Sequence, residues 1–81
     1  MSWKVVLPKA EIRNELRRLR FDNDEMTQQQ LAQRAGCSRQ TIVLLEQGRY
    51  SPSLSLAFRI AQVFGKTVDE VFQWEGRSGA G

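Results

Sequence analysis

Arg39, Gln40 and Thr41 follow Ser38 directly, and Gln47 lies about two helical turns further on. A guanidinium is a rigid fork of N–H donors, and a primary amide carries donors and an acceptor side by side. Such groups can bond planar polar partners in pairs. If 39–47 is a helix, Ile42 and Leu45 mark its buried side. The opposite arc holds Arg39, Gln40, Val43, Leu44 and Gln47, with no carboxylate, while Glu46 falls beside the apolar side. Such a helix is roughly 13 Å long, which suits a DNA major groove about 12 Å wide. Arg and Gln are also the side chains that bond guanine and adenine edges in pairs. Val43 and Leu44 on this arc admit two readings: packing against a neighbouring loop or subunit, or contact with thymine methyl groups.

Catalytic chemistry has little to work with. The 81 residues contain no histidine and one cysteine, Cys37, which removes the commonest general base, an intrachain disulfide and a zinc site built on His and Cys. No carboxylate pair sits in a Gly-rich or strand-end context, so an enzyme is not expected, nor is a cofactor or a metal. Cys37 reads as a small structural hydrophobe.

The length fits one domain with one modest core. An apolar fraction of 41% with 26% charged residues is that of a folded globule. No apolar run reaches a membrane span or a signal peptide, and the lone thiol suits a reducing compartment. The expected location is cytoplasmic. The net charge of +3 is unevenly spread: residues 1–21 hold six basic against two acidic residues, and 22–25 hold three acids. This is compatible with a polyanionic partner without requiring one.

The elements that must position Arg39 and Gln40 are short. Ser2-Trp-Lys-Val-Val-Leu before Pro8 reads as a strand or ordered arm. The spacing of Ile12, Leu16 and Leu19 predicts a first helix over about 9–21, with Arg13, Arg17, Arg18 and Arg20 on much of the rest, read as a solvated face in preference to the alternative of phosphate contacts. The acidic residues 22–25 break that pattern. Thr27 with Gln30 forms a capping box for helix 2, which Gly36 closes. Ser38 caps helix 3, running to Gln47 and Gly48. Helix 4 starts near Ser53 and carries Leu54, Ala57, Phe58, Ala61 and Phe64 before Gly65. Thr67 with Glu70 opens helix 5, with Val68, Val71 and Phe72 inward. The expected fold is all-α: a compact bundle of five helices, preceded by a short strand or arm. The organisation is an arm at 1–8, the helical domain at 9–75 and a flexible tail at 76–81.

Residues 27–48 are two short helices joined by a three-residue turn, a helix-turn-helix pattern. Ala32 offers a small residue at the helix crossing, and Gly36 can take positive φ. Leu31, Ala35, Ile42 and Leu45 turn inward.

From Ile12 to Phe72 the sequence resembles the phage repressor/Cro-type helix-turn-helix domain, also called the xenobiotic-response-element family. The matching residues are Leu-Arg at 19–20, Thr-Gln-Gln-Gln-Leu-Ala at 27–32, Gly36, Ser-Arg-Gln-Thr-Ile at 38–42 and Leu-Glu-Gln-Gly at 45–48. They continue with Tyr-Ser-Pro-Ser-Leu at 50–54 and Ala-Phe-Arg-Ile-Ala-Gln-Val-Phe-Gly at 57–65. The resemblance implies a lambda repressor-like bundle that binds double-stranded DNA sequence-specifically. It implies base contacts from Arg39, Gln40, Thr41, Val43 and Leu44. Phosphate contacts would come from Gln28, Ser38, Gln47, Gly48 and Arg49, with backbone amides near Gly48 among the donors. Arg20 and Glu46 match a salt bridge between helix 1 and helix 3 in relatives. Val43 and Leu44 depart from the polar residues usual there.

The expectation is therefore a homodimeric transcriptional regulator, a repressor on a pseudo-palindromic operator, without a small-molecule ligand. Its dimer contacts would come from the arm between Trp3 and Leu7, from helix 5 with Trp74, or from both. The alternative is an antitoxin or accessory subunit using the same fold to bind a partner protein.

Overall fold

Short polar side chains set the boundaries of most elements. The computed structural model describes residues 12–75. In chain order these are β1 (Ile12–Asn14), α1 (Leu16–Asp22), α2 (Gln28–Ala35), α3 (Arg39–Glu46), α4 (Leu54–Phe64), α5 (Val68–Val71) and β2 (Phe72–Trp74). Thr27 Oγ1 accepts the Gln30 N–H at 3.0 Å and the Gln30 side chain accepts the Thr27 N–H at 2.9 Å, completing the capping box. Ser38 and Ser53 cap α3 and α4 through the N–H groups of Thr41 and Leu56, each at 3.1 Å. Glu70 accepts the Thr67 N–H at 2.8 Å, and that bond holds its carboxyl below the usual carboxylate range. Gly36 closes α2 at φ 76° in the left-handed region that glycine enters without steric cost.

The first helix is shorter than the apolar spacing predicts. Ile12–Asn14 is a strand, antiparallel to Phe72–Trp74, with Ile12 opposite Trp74, Arg13 opposite Gln73 and Asn14 opposite Phe72. Asn14 is the reason the helix cannot start earlier. Its Oδ1 accepts the Leu16 N–H at 3.1 Å, a local bond that competes with helix. Its Nδ2 donates to the Leu45 carbonyl at 2.8 Å, tying the strand end to α3. Ile12 thus packs on the core from a strand. At the other end, α5 stops at Val71, so Phe72 is buried from β2 and Trp74 belongs to that strand and not to a helix. The arm and tail expected at 1–8 and 76–81 lie outside the described residues.

The core joins Leu16 and Leu19 of α1, Met26 of the loop that follows, Leu31, Ala32 and Ala35 of α2, and Ile42 and Leu45 of α3. Leu56, Ala57, Ile60 and Ala61 of α4, with Val71 and Phe72, complete it. Truncating a fully buried Leu31 or Ile42 to Ala would cost about 2–5 kcal/mol. On α4 the stripe differs from expectation. Leu56 and Ile60 face the core, whereas Leu54 and Phe58 are 70% and 58% exposed. Apolar residues surround most of α4, so two overlapping stripes satisfy the helical period, and only packing against α2 selects between them.

Candidate nucleic-acid interface

Ala32 is fully buried and lets α2 and α3 meet closely around the turn at 36–38. The turn is also held from outside. Arg59 of α4 donates from Nε to the Ala35 carbonyl at 2.8 Å and from Nη1 to Ser55 Oγ at 2.6 Å. A guanidinium on the last carbonyls of α2 suits the negative end of that helix. Cys37 is half-buried beside it, and burial raises the thiol pKa more than the Arg59 charge lowers it.

With Ile42 and Leu45 buried, α3 turns Arg39 and Gln40 into solvent at its N-terminal end and Gln47 at its other end. Thr41, Val43 and Leu44 are half-buried. The Thr41 hydroxyl lies 2.9 Å from Ser38 Oγ, so both hydroxyls serve the cap. Gln28 sits at the first position of α2 and reaches the far end of α3, where its Nε2 donates to Glu46 Oε1 at 3.2 Å. The expected phosphate residues therefore fall in two groups. Ser38 lies at the start of α3; Gln28, Gln47, Gly48 and Arg49 gather around its end, roughly 13 Å away. At that end the backbone amides are engaged: Gly48 N–H bonds Leu45 O and Arg49 N–H bonds Leu44 O, both at 3.0 Å. Donors for an anion there must come mainly from the side chains of Gln28, Gln47 and Arg49.

Arg20 and Glu46 join α1 to α3. Arg20 Nε donates to Glu46 Oε2 at 2.6 Å and Nη2 to Oε1 at 2.9 Å, a bidentate pair, while Nη1 donates to the Met26 carbonyl at 2.9 Å. Neutralising Glu46 matters for the surface, because it is the only acid between residues 27 and 68, a stretch with Arg34, Arg39, Arg49, Arg59 and Lys66. The remaining acids belong to the first 25 residues and to residues 69–75. Along the chain, residues 27–68 thus carry five basic residues and one paired acid, a bias compatible with a polyanionic partner.

Asn14 and Arg59 are the residues that reading the sequence missed. Asn14 carried a signal, since Asn disfavours helix interiors and favours turns. Arg59 carried none, because its partner is on another helix.

A short two-helix turn, a solvent-facing α3 and a helical bundle around them define a helix-turn-helix protein. Residues 16–71 match the family model described as Helix-turn-helix. An uncharacterised HTH-type transcriptional regulator of Methanocaldococcus jannaschii is 50% identical over 50 residues, which is 62% of this chain and 76% of that protein. A second, from Archaeoglobus fulgidus, is 53% identical over 47 residues, or 58% of this chain and 66% of that protein. The HTH-type regulator YgzD of Bacillus subtilis is 39% identical over 49 residues, 60% and 74% of the two chains. The chain belongs to the helix-turn-helix family. Membership makes it a DNA-binding regulatory protein and not an enzyme. Among the described residues, no helix is long and apolar enough to cross a membrane.

Proposed function

We propose that this protein represses transcription as a homodimer, laying one α3 per protomer into successive major grooves of a pseudo-palindromic operator. The observation that carries the reading is the solvent face of α3: Arg39 and Gln40 exposed at its N-terminal end, with its one acid, Glu46, neutralised by Arg20. Arg39, Gln40 and Thr41 read base edges, with Val43 and Leu44 against thymine methyls. Gln28, Ser38, Gln47 and Arg49 hold the flanking phosphates through their side chains and set the register, the Gly48 amide being already bonded to Leu45. A single reading helix spans few base pairs, so two half-sites about 34 Å apart supply the specificity. The dimer contact involves the arm between Trp3 and Leu7, outside the described residues, and Trp74, which is 65% exposed on β2.

Selecting bound duplexes from a random library tests this. The expected product is an enriched motif with two related half-sites one helical turn apart, and affinity that falls steeply with salt. No enrichment near physiological salt, with a protein partner co-purifying in equal amount, would instead support an antitoxin or accessory subunit. That second reading is favoured by the exposed Leu54, Phe58 and Trp74.

A further inference from the structure

One oxygen of Glu46 serves two helices at once. Oε1 accepts from Arg20 Nη2 at 2.9 Å and from Gln28 Nε2 at 3.2 Å, while Oε2 accepts from Arg20 Nε at 2.6 Å. The third guanidinium nitrogen is bound to the Met26 carbonyl, so Arg20 is itself fixed, and the two side chains are only 16% and 9% exposed. The carboxylate is therefore held rigidly at the end of α3. A free glutamine amide on a surface can present either its oxygen or its nitrogen outward. A carboxylate partner removes that choice, because only the nitrogen can donate. Gln28 Nε2 carries two N–H groups, one committed to Glu46 and the other without an acceptor among the described residues.

We propose that Glu46, pinned by Arg20, is a positioning residue that keeps the donor end of Gln28 turned towards a DNA phosphate. The inference rests on the DNA-binding reading above. Fixing the amide before binding removes an ordering cost that a mobile side chain would incur on contact. A carboxylate this close to a phosphate would ordinarily repel it; the bidentate Arg20 makes the pair neutral overall, so Glu46 can orient the amide without opposing the anion.

The test is a coupling measurement on the full chain, using fluorescence anisotropy with a labelled duplex of mixed sequence. Gln28→Ala is placed in three backgrounds: the parent, Glu46→Gln, and the paired Arg20→Met with Glu46→Leu. The paired change leaves no unpartnered buried charge and is the background expected to stay folded. In the parent, Gln28→Ala weakens binding about tenfold, the scale of a hydrogen bond to a charged group. The salt slope stays unchanged, since a neutral amide displaces no counterion. In the paired background the same substitution costs about twofold or less, because Gln28 has already lost its guide. In Glu46→Gln the partner amide offers a donor as well as an acceptor and restores the choice, so the Gln28 effect falls between those two. Equal losses in the parent and the paired background would overturn the inference and show that Arg20 and Glu46 act only on the placement of α3. So would an undiminished effect in a folded Glu46→Gln protein, or its absence in the parent. A parent that binds no duplex at low salt would defeat the DNA-binding reading itself, a result distinct from these.

Discussion

Arg59 closes the C-terminal end of α2 by donating its Nε–H to the carbonyl of Ala35 at 2.8 Å. The bond crosses from α4 to the turn of the helix-turn-helix and fixes the point from which α3 departs. Arg59→Ala should lower stability by about 1–2 kcal/mol, the range of a charge-assisted bond that is partly open to water. Urea unfolding followed by circular dichroism measures it. Arg59→Lys keeps the charge but not the two-nitrogen geometry and should fall between the two. No loss in Arg59→Ala would mean that the turn holds itself.

Left-handed backbone gives a matched pair of opposite predictions. Gly36 has φ 76°, and a Cβ there would meet nothing nearer than Arg59 Nε at 3.8 Å. Gly36→Ala should therefore cost only the conformational penalty, about 1–2 kcal/mol, without a clash. Asp24 and Glu25 also have positive φ, 65° and 52°, without being glycine. Glu25→Gly should be neutral or stabilising by up to about 1 kcal/mol, as relief of strain opposes the entropy of a freer unfolded chain. Thermal melts should show a lower midpoint for Gly36→Ala and an unchanged or higher one for Glu25→Gly.

Cys37 should be a slow nucleophile. Burial raises its thiol above the ordinary value of 9.0, against a smaller opposing pull from the Arg59 charge. Since the thiolate is the reactive form, alkylation at pH 8 should be slower in the folded protein than in the urea-unfolded chain. The linkage follows with the same sign. The folded state favours the protonated thiol, so this contribution to stability is complete below pH 9.0 and fades as pH rises through the raised folded-state value. An alkylation rate equal to that of the unfolded chain would remove the basis for this reading.

Arg39 and Gln40 should carry base preference, and Gln28 should not. On the duplex selected from a random library, Arg39→Ala or Gln40→Ala should cost about 1–3 kcal/mol and relax preference at one position of the half-site. Gln28→Ala should weaken all sequences alike. Repeating the selection with each variant reads this directly. An unchanged motif for both α3 variants would mean that another surface reads the DNA.

Side chains that act on their own backbone were legible without a fold. Thr27 with Gln30, Ser38 with Thr41, and the glycines at 36 and 65 mark the ends of α2, α3 and α4, because capping bonds span only three or four residues. The inward set Leu31, Ala35, Ile42 and Leu45 was equally legible, as α2 has one apolar side and the polar Arg39, Gln40 and Gln47 mark the face of α3 opposite Ile42 and Leu45.

Three features depended on contacts between distant parts of the chain. Ile12–Asn14 is a strand because Phe72–Trp74 lies beside it, about sixty residues later, and local apolar spacing cannot register that partner. On α4, packing against α2 chose Leu56 and Ile60 over Leu54 and Phe58, a choice the helical period alone leaves open. The sequence could suggest that Arg20 meets Glu46 only by likeness to relatives. That Gln28 joins them, and that Arg59 reaches Ala35, became visible only when the helices were assembled. The physical reason is range: caps and periodicity are decided within a turn or two of backbone, whereas these bonds exist only after hydrophobic burial has brought separate helices together.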